Sequence, residues 1–473
     1  MLWHCINFRI RDERDSVVAL LQHRSSERQL VARLFLDRRS DKGISSQLLD
    51  YFDKLSIGPK EGRAFPATET LRRGISSIVS NLWEDLGVDE SAASSDSVLN
   101  LYEEFGVVRG NLEFDKEGFR CFISHLQKLS ELGQHQAKEP QETNQTNEVA
   151  QFSVIFESPL ASRRSPCLIS QLPHLPQQQF VFKGITFADY LAFDADVFRC
   201  RKDAIYREIQ LLCNVMPHHP NVMPRPTWFV ILPDPENLES PKVLGVLYPY
   251  YKNSTMSSVI ERSVEEGSRI SLHRKAKWCF QLADALYHVH YRGHTWHQDM
   301  KPANILLDDE DNVVIIDWEQ GIGGTNTFVS PVETDGSFDL EVISRDGGEG
   351  DSLPMLHYIP YTGPVRINNV IGTPHWDVFR HWHSISRLAV EVAEIFSLGF
   401  TIFILLEEVS RGDKPDVEDY TEARREWTEC STDIPQRWKE NVNACIKDDP
   451  NERPTLLEQR EFWDRELKLF NGM

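Results

Sequence analysis

Four side chains have the types and spacing to act together on one reacting group. Asp299, Lys301 and Asn304 lie within H-Q-D-M-K-P-A-N-I-L-L, His297 to Leu307, and Asp317 follows in V-V-I-I-D-W-E, Val313 to Glu319. A carboxylate such as Asp299 orients a hydroxyl and accepts its proton. An ammonium at Lys301 faces an anionic group in transit, while the carboxamide oxygen of Asn304 and the carboxylate of Asp317 are hard oxygen ligands of the kind that suits Mg²⁺. The set fits the metal-assisted transfer of an anionic group to a hydroxyl.

Such a set needs a rigid frame, and the flanking sequence supplies one. Leu272, Ala276, Cys279, Phe280, Ala283, Leu286, Tyr287 and His290 recur on one helical face, and Gly293 marks where that helix stops. Ile305 to Leu307 and Val313 to Ile316 are short apolar strands around D-D-E-D-N, a hairpin signal. Asp299 therefore sits on a loop between a helix and a buried hairpin. Upstream, residues 179 to 184 and 243 to 250 read as strands on either side of a helix near Ala204 to Val215, and from about 270 onward helices dominate. The longest apolar run, Ile395 to Leu406, contains Ser397 and Thr401. It is shorter than the roughly 20 residues that span a bilayer and reads as a buried core helix.

Residues 136 to 150 are polar and without period, which predicts a linker. Before it, Leu71, Ile75, Ile78, Leu82 and Leu86, then Phe119, Phe122, Ile123, Leu126, Leu129 and Leu132, recur at helical spacing and end at Gly87 and Gly133. Residues 1–135 are expected to be mostly helical, with Ser91 to Ser97 as a loop. They hold no constellation that carries chemistry.

The spacing H-x-D-x-K-P-x-N, followed after a hairpin by Asp317, resembles the catalytic loop and metal-binding Asp of the eukaryotic protein kinase superfamily. The resemblance implies a role for each residue. Asp299 is the base for the attacking hydroxyl, Lys301 faces the transferring γ-phosphoryl group of ATP, and Asn304 and Asp317 hold Mg²⁺. In the family, Lys at position 301 goes with serine/threonine substrates. Lys183 in F-V-F-K-G and Glu208 in I-Y-R-E-I-Q match the pair that pins the α- and β-phosphates, and P-H-H-P-N-V, Pro217 to Val222, resembles the loop after that helix. Order along the chain places the hinge beside adenine at Tyr248 to Tyr251, with Leu247, Tyr248 and Tyr250 as nucleotide contacts. G-T-P-H-W, Gly372 to Trp376, resembles the end of an activation segment, with Thr373 facing the catalytic Asp and Lys. E-I-F-S-L-G, Glu394 to Gly399, resembles the start of the long buried helix, and D-D-P-N-E-R-P-T, Asp448 to Thr455, resembles the late motif whose Arg is buried.

The resemblance runs from about 176 to 465 and is nearest to a divergent group of fungal kinases with D-W-E or D-F-E in place of D-F-G. It implies an α+β, two-lobed protein-kinase-like fold over 151–473, with an N-lobe at about 165–252 and a C-lobe at about 253–470. The implied activity is that of a serine/threonine protein kinase using ATP and Mg²⁺ on a protein substrate.

Several positions depart from the family pattern. No glycine occurs between Gly133 and Gly184, so the phosphate-covering G-x-G-x-x-G loop is missing. Glu319 replaces the Gly of D-F-G and is either a third metal ligand or a solvated or lysine-paired acid. No A-P-E follows Thr373, which leaves Arg453 to pair with Glu391 or Glu394. Gln298 replaces the Arg of H-R-D, so the guanidinium that grips an activation-loop phosphate is absent. The segment from Asp317 to Gly372 is long and without clear secondary structure. A pseudokinase, binding nucleotide or partners without transfer, is the alternative that these departures favour. A small-molecule phosphotransferase is disfavoured by Lys301-Pro302 and the G-T-P segment.

The 473 residues carry 51 Lys+Arg against 72 Asp+Glu, a net charge of −21, which argues against a generic binder of nucleic acid or anionic membrane. From Ile305 to Ser352 there are 13 acidic residues and one basic, which favours basic substrates or is simply a solvated acidic loop. The eight cysteines form no C-x-x-C pair, so structural zinc is not expected. Cys121 and Cys279 fall on apolar stripes and are expected to be buried thiols in a reducing compartment. The amino terminus lacks the apolar core of a secretory signal, and the expected location is cytoplasmic or nuclear.

Overall fold

The computed structural model describes residues 3–10, 16–23, 29–35, 72–80, 97–104, 107–132, 147–150, 155–159, 167–172, 174–193, 195–226, 228–234, 237–320, 338–343, 355–363, 383, 386–409 and 426–471. They divide into two compact units, Met1–Ile209 with Pro226–Tyr250, and Gln210–Arg225 with Tyr251–Met473. The first is rich in strands and the second in helices, the α+β content expected of a two-lobed kinase fold.

The first unit opens on a sheet, where the sequence reading expected helices. Strands β1 (Trp3–Ile10), β2 (Ser16–His23) and β3 (Gln29–Phe35) pair antiparallel in turn. Strand β4 (Ser97–Glu104) joins β3 in parallel, and β5 (Val107–Phe114) closes the sheet. The consecutive residues Val17, Val18 and Ala19 are all buried, so β2 is covered on both faces. A strand covered on both faces loses the alternation that would mark it, which is why these runs escaped a periodicity reading. The helix expected from Leu71 is present as α1 (72–80), between β3 and β4, with Ile75 and Val79 buried. Its Ser76 hydroxyl accepts the Cys5 amide of β1 at 2.9 Å. Leu82, Leu86 and the expected loop at 91–96 lie outside the described residues, and Ser97 already begins β4.

Helices α2 (Lys116–His125) and α3 (Leu129–Leu132) stand where the second apolar stripe placed them. Asp115 caps α2 by accepting the Gly118 amide at 2.8 Å. Cys121, however, is exposed, because the buried stripe of α2 runs through Phe122 and Ile123. The predicted linker ends in strand β6 (Asn147–Ala150), which pairs in parallel with a later strand. It belongs to a second sheet with β7 (Ile155–Pro159), β8 (Cys167–Leu172), β9 (Leu175–Gly184), β10 (Trp228–Asp234) and β11 (Asn237–Pro249), in the order β6-β10-β11-β9-β8-β7. Helices α4 (Phe187–Ala192) and α5 (Ala195–Gln210) follow β9. Thr186 and Asp189 form a reciprocal capping box at the start of α4. The ring of Phe122 on α2 lies 5.6 Å from Phe187, 5.8 Å from Tyr190 and 6.3 Å from Phe198, so an aromatic cluster joins α2 to α4 and α5.

The second unit is built on α6 (Met256–Glu265), α7 (Leu272–Tyr291), α8 (Arg387–Glu407), α9 (Gln436–Cys445) and α10 (Leu456–Asn471). Ser271 caps α7, whose buried face carries Ala276, Cys279, Ala283 and Leu286 of the predicted stripe together with Leu282 and Val289, while Leu272, Phe280, Tyr287 and His290 of that stripe are half-buried. Burial pushes the Cys279 thiol well above its usual range. Helix α8 holds the long apolar run and is long and apolar enough to cross a membrane, yet 94% of that stretch is buried inside the fold. Strands β12 (Ile305–Leu307) and β13 (Val313–Ile315) form the expected hairpin.

A second hairpin corrects the expectation of an unstructured segment after Asp317. Strands β14 (Phe338–Ile343) and β15 (Met355–Pro360) pair antiparallel, and Leu340 and Leu356 pack with Ala389, Val390, Val392 and Ala393 of α8. Asn451 pins its edge: the side-chain oxygen accepts the Leu356 amide at 2.8 Å and Nδ2 donates to the Leu356 carbonyl at 2.6 Å. An amide side chain thereby replaces one rung of a strand ladder.

Candidate active site

The loop after α7 gets its shape from a single buried acid. Glu394 of α8 is fully buried, and its Oε1 accepts the amides of His297 at 2.7 Å and Gln298 at 2.9 Å. Its Oε2 lies 2.5 Å from His290 Nε2 on α7. Burial alone would raise this carboxyl, but the His290 hydrogen bond and charge, with His297 and the Gln298 amide, hold it below its ordinary value. Two successive backbone N–H groups held by one carboxylate fix the chain direction just ahead of Asp299.

His297 ties the same loop to the hairpin. The Asp299 amide donates to His297 Nδ1 at 3.2 Å, which leaves Nε2 as the protonated nitrogen, 2.8 Å from the Ile316 carbonyl. The buried Trp318 ring meets the imidazole edge-on at 4.6 Å and donates from Nε1 to the Ile315 carbonyl at 2.9 Å. The Ile316 amide donates to the Asn304 carbonyl at 3.0 Å, so the Asn304 turn and the Asp317 strand end are locked in register.

Within this frame Asp299, Lys301 and Asn304 converge. Lys301 Nζ lies 2.5 Å from Asp299 Oδ2, and Asn304 Nδ2 donates to Asp299 Oδ2 at 3.0 Å and to its carbonyl at 2.9 Å. Both side-chain contacts fall on one carboxylate oxygen, which sets the orientation of the other. With its Nδ2 engaged in this way, the Asn304 side chain has its oxygen left as a possible ligand. Gln298 and Asp317 have φ of 82° and 70°, left-handed values that are uncommon for residues other than glycine. Backbone strain of this kind, of order 1–3 kcal/mol each, gathers at functional sites.

In the first unit, Lys183 of β9 and Glu208 of α5 are both buried and 2.7 Å apart. Leu247 and Tyr248 are buried in β11, and strand pairing continues through Pro249 opposite Phe180. Tyr248, expected at the start of the hinge, thus still lies within the strand, and its hydroxyl donates to Glu208 Oε1 at 2.9 Å. Tyr250 is half-buried, with its amide on the Gln179 carbonyl at 3.2 Å. Glu319 is half-buried, while Gly372 to Trp376, including Thr373, lie outside the described residues.

Arg453 is not taken up by either expected acid. Its guanidinium donates to the carbonyls of Lys447 at 2.7 Å, Val392 at 2.9 Å and Asp448 at 3.2 Å, and lies 5.0 Å from the Phe396 ring centre. Glu391 instead accepts the Leu456 amide at 2.9 Å and the Tyr291 hydroxyl. The role of Glu394 escaped the sequence reading, although an ionisable residue at the head of an apolar run, where it must find buried partners, was the available signal.

A family model described as a protein kinase domain matches residues 193–328. A protein of Acanthamoeba polyphaga mimivirus named "Putative serine/threonine-protein kinase R436" is 25% identical over 55% of this chain and 78% of its own length. Serine/threonine-protein kinase VHS1 of Saccharomyces cerevisiae is 32% identical over 32% of this chain. CBL-interacting serine/threonine-protein kinase 24 of Arabidopsis thaliana is 28% identical over 32% of it. The matched regions span 30% and 31% of those last two proteins.

Proposed function

We propose that this chain, a member of the eukaryotic protein kinase superfamily, transfers the γ-phosphoryl group of ATP to a serine or threonine hydroxyl of a protein. The observation that carries the reading is the convergence of Lys301 and Asn304 on one oxygen of Asp299, on a loop pinned by Glu394. Asp299 orients the substrate hydroxyl and takes its proton as the oxygen attacks phosphorus. The bond between the γ-phosphorus and the bridging oxygen breaks, and ADP leaves. Lys301 steadies Asp299 and offers an ammonium to the moving phosphoryl group. Lys183, oriented by Glu208, grips the α- and β-phosphates, and Leu247 and Tyr250 border the base.

A carboxamide and a carboxylate are a hard-oxygen set that fits Mg²⁺, so Asn304 and Asp317 are the residues to hold it. When bound, Mg²⁺ neutralises charge on the phosphates. Lys301 and the serine/threonine kinase names of the relatives support the substrate class. The acidic stretch from Ile305 to Ser352 supports a basic protein substrate.

The test is transfer of γ-³²P from Mg²⁺-ATP to a basic protein and to the chain itself, comparing wild type with Asp299→Asn. Label lost in the variant is the expected result. Equal background in both, with ATP binding retained, would replace this reading with a nucleotide-binding scaffold, which the absence of glycine between Gly133 and Gly184 favours.

A further inference from the structure

Glu208 is bonded at each of its two oxygens. Lys183 Nζ lies 2.7 Å from Oε2, and the Tyr248 hydroxyl donates to Oε1 at 2.9 Å. Two positions earlier on the same helix, the Tyr206 hydroxyl donates to the Val243 carbonyl at 2.6 Å and accepts the Gln127 amide at 3.1 Å. Tyr206 and Glu208 belong to α5, and Val243 and Tyr248 to β11. Each element therefore sends one phenol to the other. Tyr206, Glu208 and Tyr248 are 1%, 3% and 2% exposed, so water offers none of these groups a substitute partner.

The segment before the polar stretch closes the same joint. The Val243 amide donates to the Gln127 carbonyl at 3.0 Å, and Lys242 Nζ donates to the Leu126 carbonyl at 3.1 Å. Residues 126–127 thus bond to both the helix and the strand. Burial pushes the Tyr206 phenol up, against the smaller opposing effect of the Gln127 amide, and it stays a neutral donor through the physiological range.

We propose that Tyr248 and Tyr206 are positioning residues, a reciprocal pair that holds α5 against β11 and keeps Glu208 on Lys183 with or without nucleotide. Tyr248 acts through Glu208 and not as a contact to adenine. The proposal rests on the kinase reading, in which the Lys183–Glu208 pair serves the phosphates of ATP. It also gives residues 126–127 a use, as the piece that completes the clamp.

The test uses the full chain with Tyr248→Phe, Tyr206→Phe and both together. Phenylalanine keeps the ring packing and removes only the hydroxyl. Hydrogen exchange is read at the amides of Ile205 to Ile209, and ATP affinity by calorimetry in the presence of Mg²⁺. Each single variant is expected to speed exchange there by about tenfold and weaken ATP binding by about tenfold, since Tyr248→Phe removes one hydrogen bond to a charged group and Tyr206→Phe removes two to backbone groups. Exchange at Phe122 and Ile123 in α2 is expected to stay at the wild-type rate. Wild-type exchange in both variants would overturn the proposal. So would faster exchange with unchanged ATP affinity, because the bonds would then serve the fold and not the pair. A wild-type chain that binds ATP but transfers no phosphate would sink the kinase reading while leaving both measurements able to decide this one.

Discussion

Among the residues around the candidate site, Glu394 bears a large structural demand, because three donors from two elements converge on its carboxylate. Glu394→Ala leaves the His297 and Gln298 amides and His290 buried without their acceptor. Breaking a buried charged network of this kind costs about 3–5 kcal/mol, which urea unfolding would register as a lower midpoint at unchanged slope. The pH dependence has a definite sign. The native carboxyl lies below its ordinary value of 4.5, so the unfolded chain binds the proton first as pH falls. The contribution is complete above the unfolded value, shrinks as pH drops below it, and is gone once pH passes the native value. Unfolding free energy measured from pH 7 down to acid should fall more steeply in wild type than in Glu394→Gln. The candidate chemistry at Asp299, Lys301, Asn304 and Asp317 was legible because it lies in short, fixed spacings. Glu394, Tyr206 and Tyr248 act on partners 37 to 104 positions away, and although an acid at the head of an apolar run signals that it needs partners, no local pattern says which they are.

At the scale of elements, helices with one wet face declared themselves, as α2 and α7 show, and so did the buried strand β13 beside its polar turn, whereas the buried strand β2 did not. Strands β2 and β4 went unseen because Val17 to Ala19 and Val98 to Leu101 are buried at every position, which removes the period of two. Hairpin β14–β15 was missed because its register is set by α8 and by Asn451, far off in sequence. Asn451→Ala removes both bonds to Leu356 and leaves a partly buried strand edge unpaired, at a cost of about 1–3 kcal/mol. Hydrogen exchange at Leu356 should rise while exchange in α7 stays at its wild-type rate. The join between α2 and α5 predicts a larger effect. Phe122 is fully buried among Phe187, Tyr190 and Phe198, so Phe122→Ala opens a cavity where the two helices meet. Its expected cost is about 3–5 kcal/mol, checked by chemical denaturation. A cost under about 1 kcal/mol would mean that the N-terminal region and α5 do not share a core.

For the molecule as a whole, the structural features bear on how the candidate site is held in shape. A kinase switched on by loop phosphorylation needs a cation beside the catalytic Asp to grip the phosphate, and this chain has Gln298 there. The backbone at Gln298 is fixed by Glu394, a permanent carboxylate, and hairpin β14–β15 is fixed by Asn451 and an apolar core. In the first unit, Glu208 is held by Tyr248. Each of these supports is built from the chain itself, and none depends on an added phosphate. The expected outcome is that phosphatase treatment leaves the phosphotransfer rate within about twofold of the untreated protein. The measurement is the initial rate on a basic peptide before and after phosphatase, with mass spectrometry confirming that phosphate between Gly321 and Gly372 is gone. A fall of more than about tenfold that returns on rephosphorylation of that stretch would show that a phosphate, and not these internal bonds, sets the active arrangement.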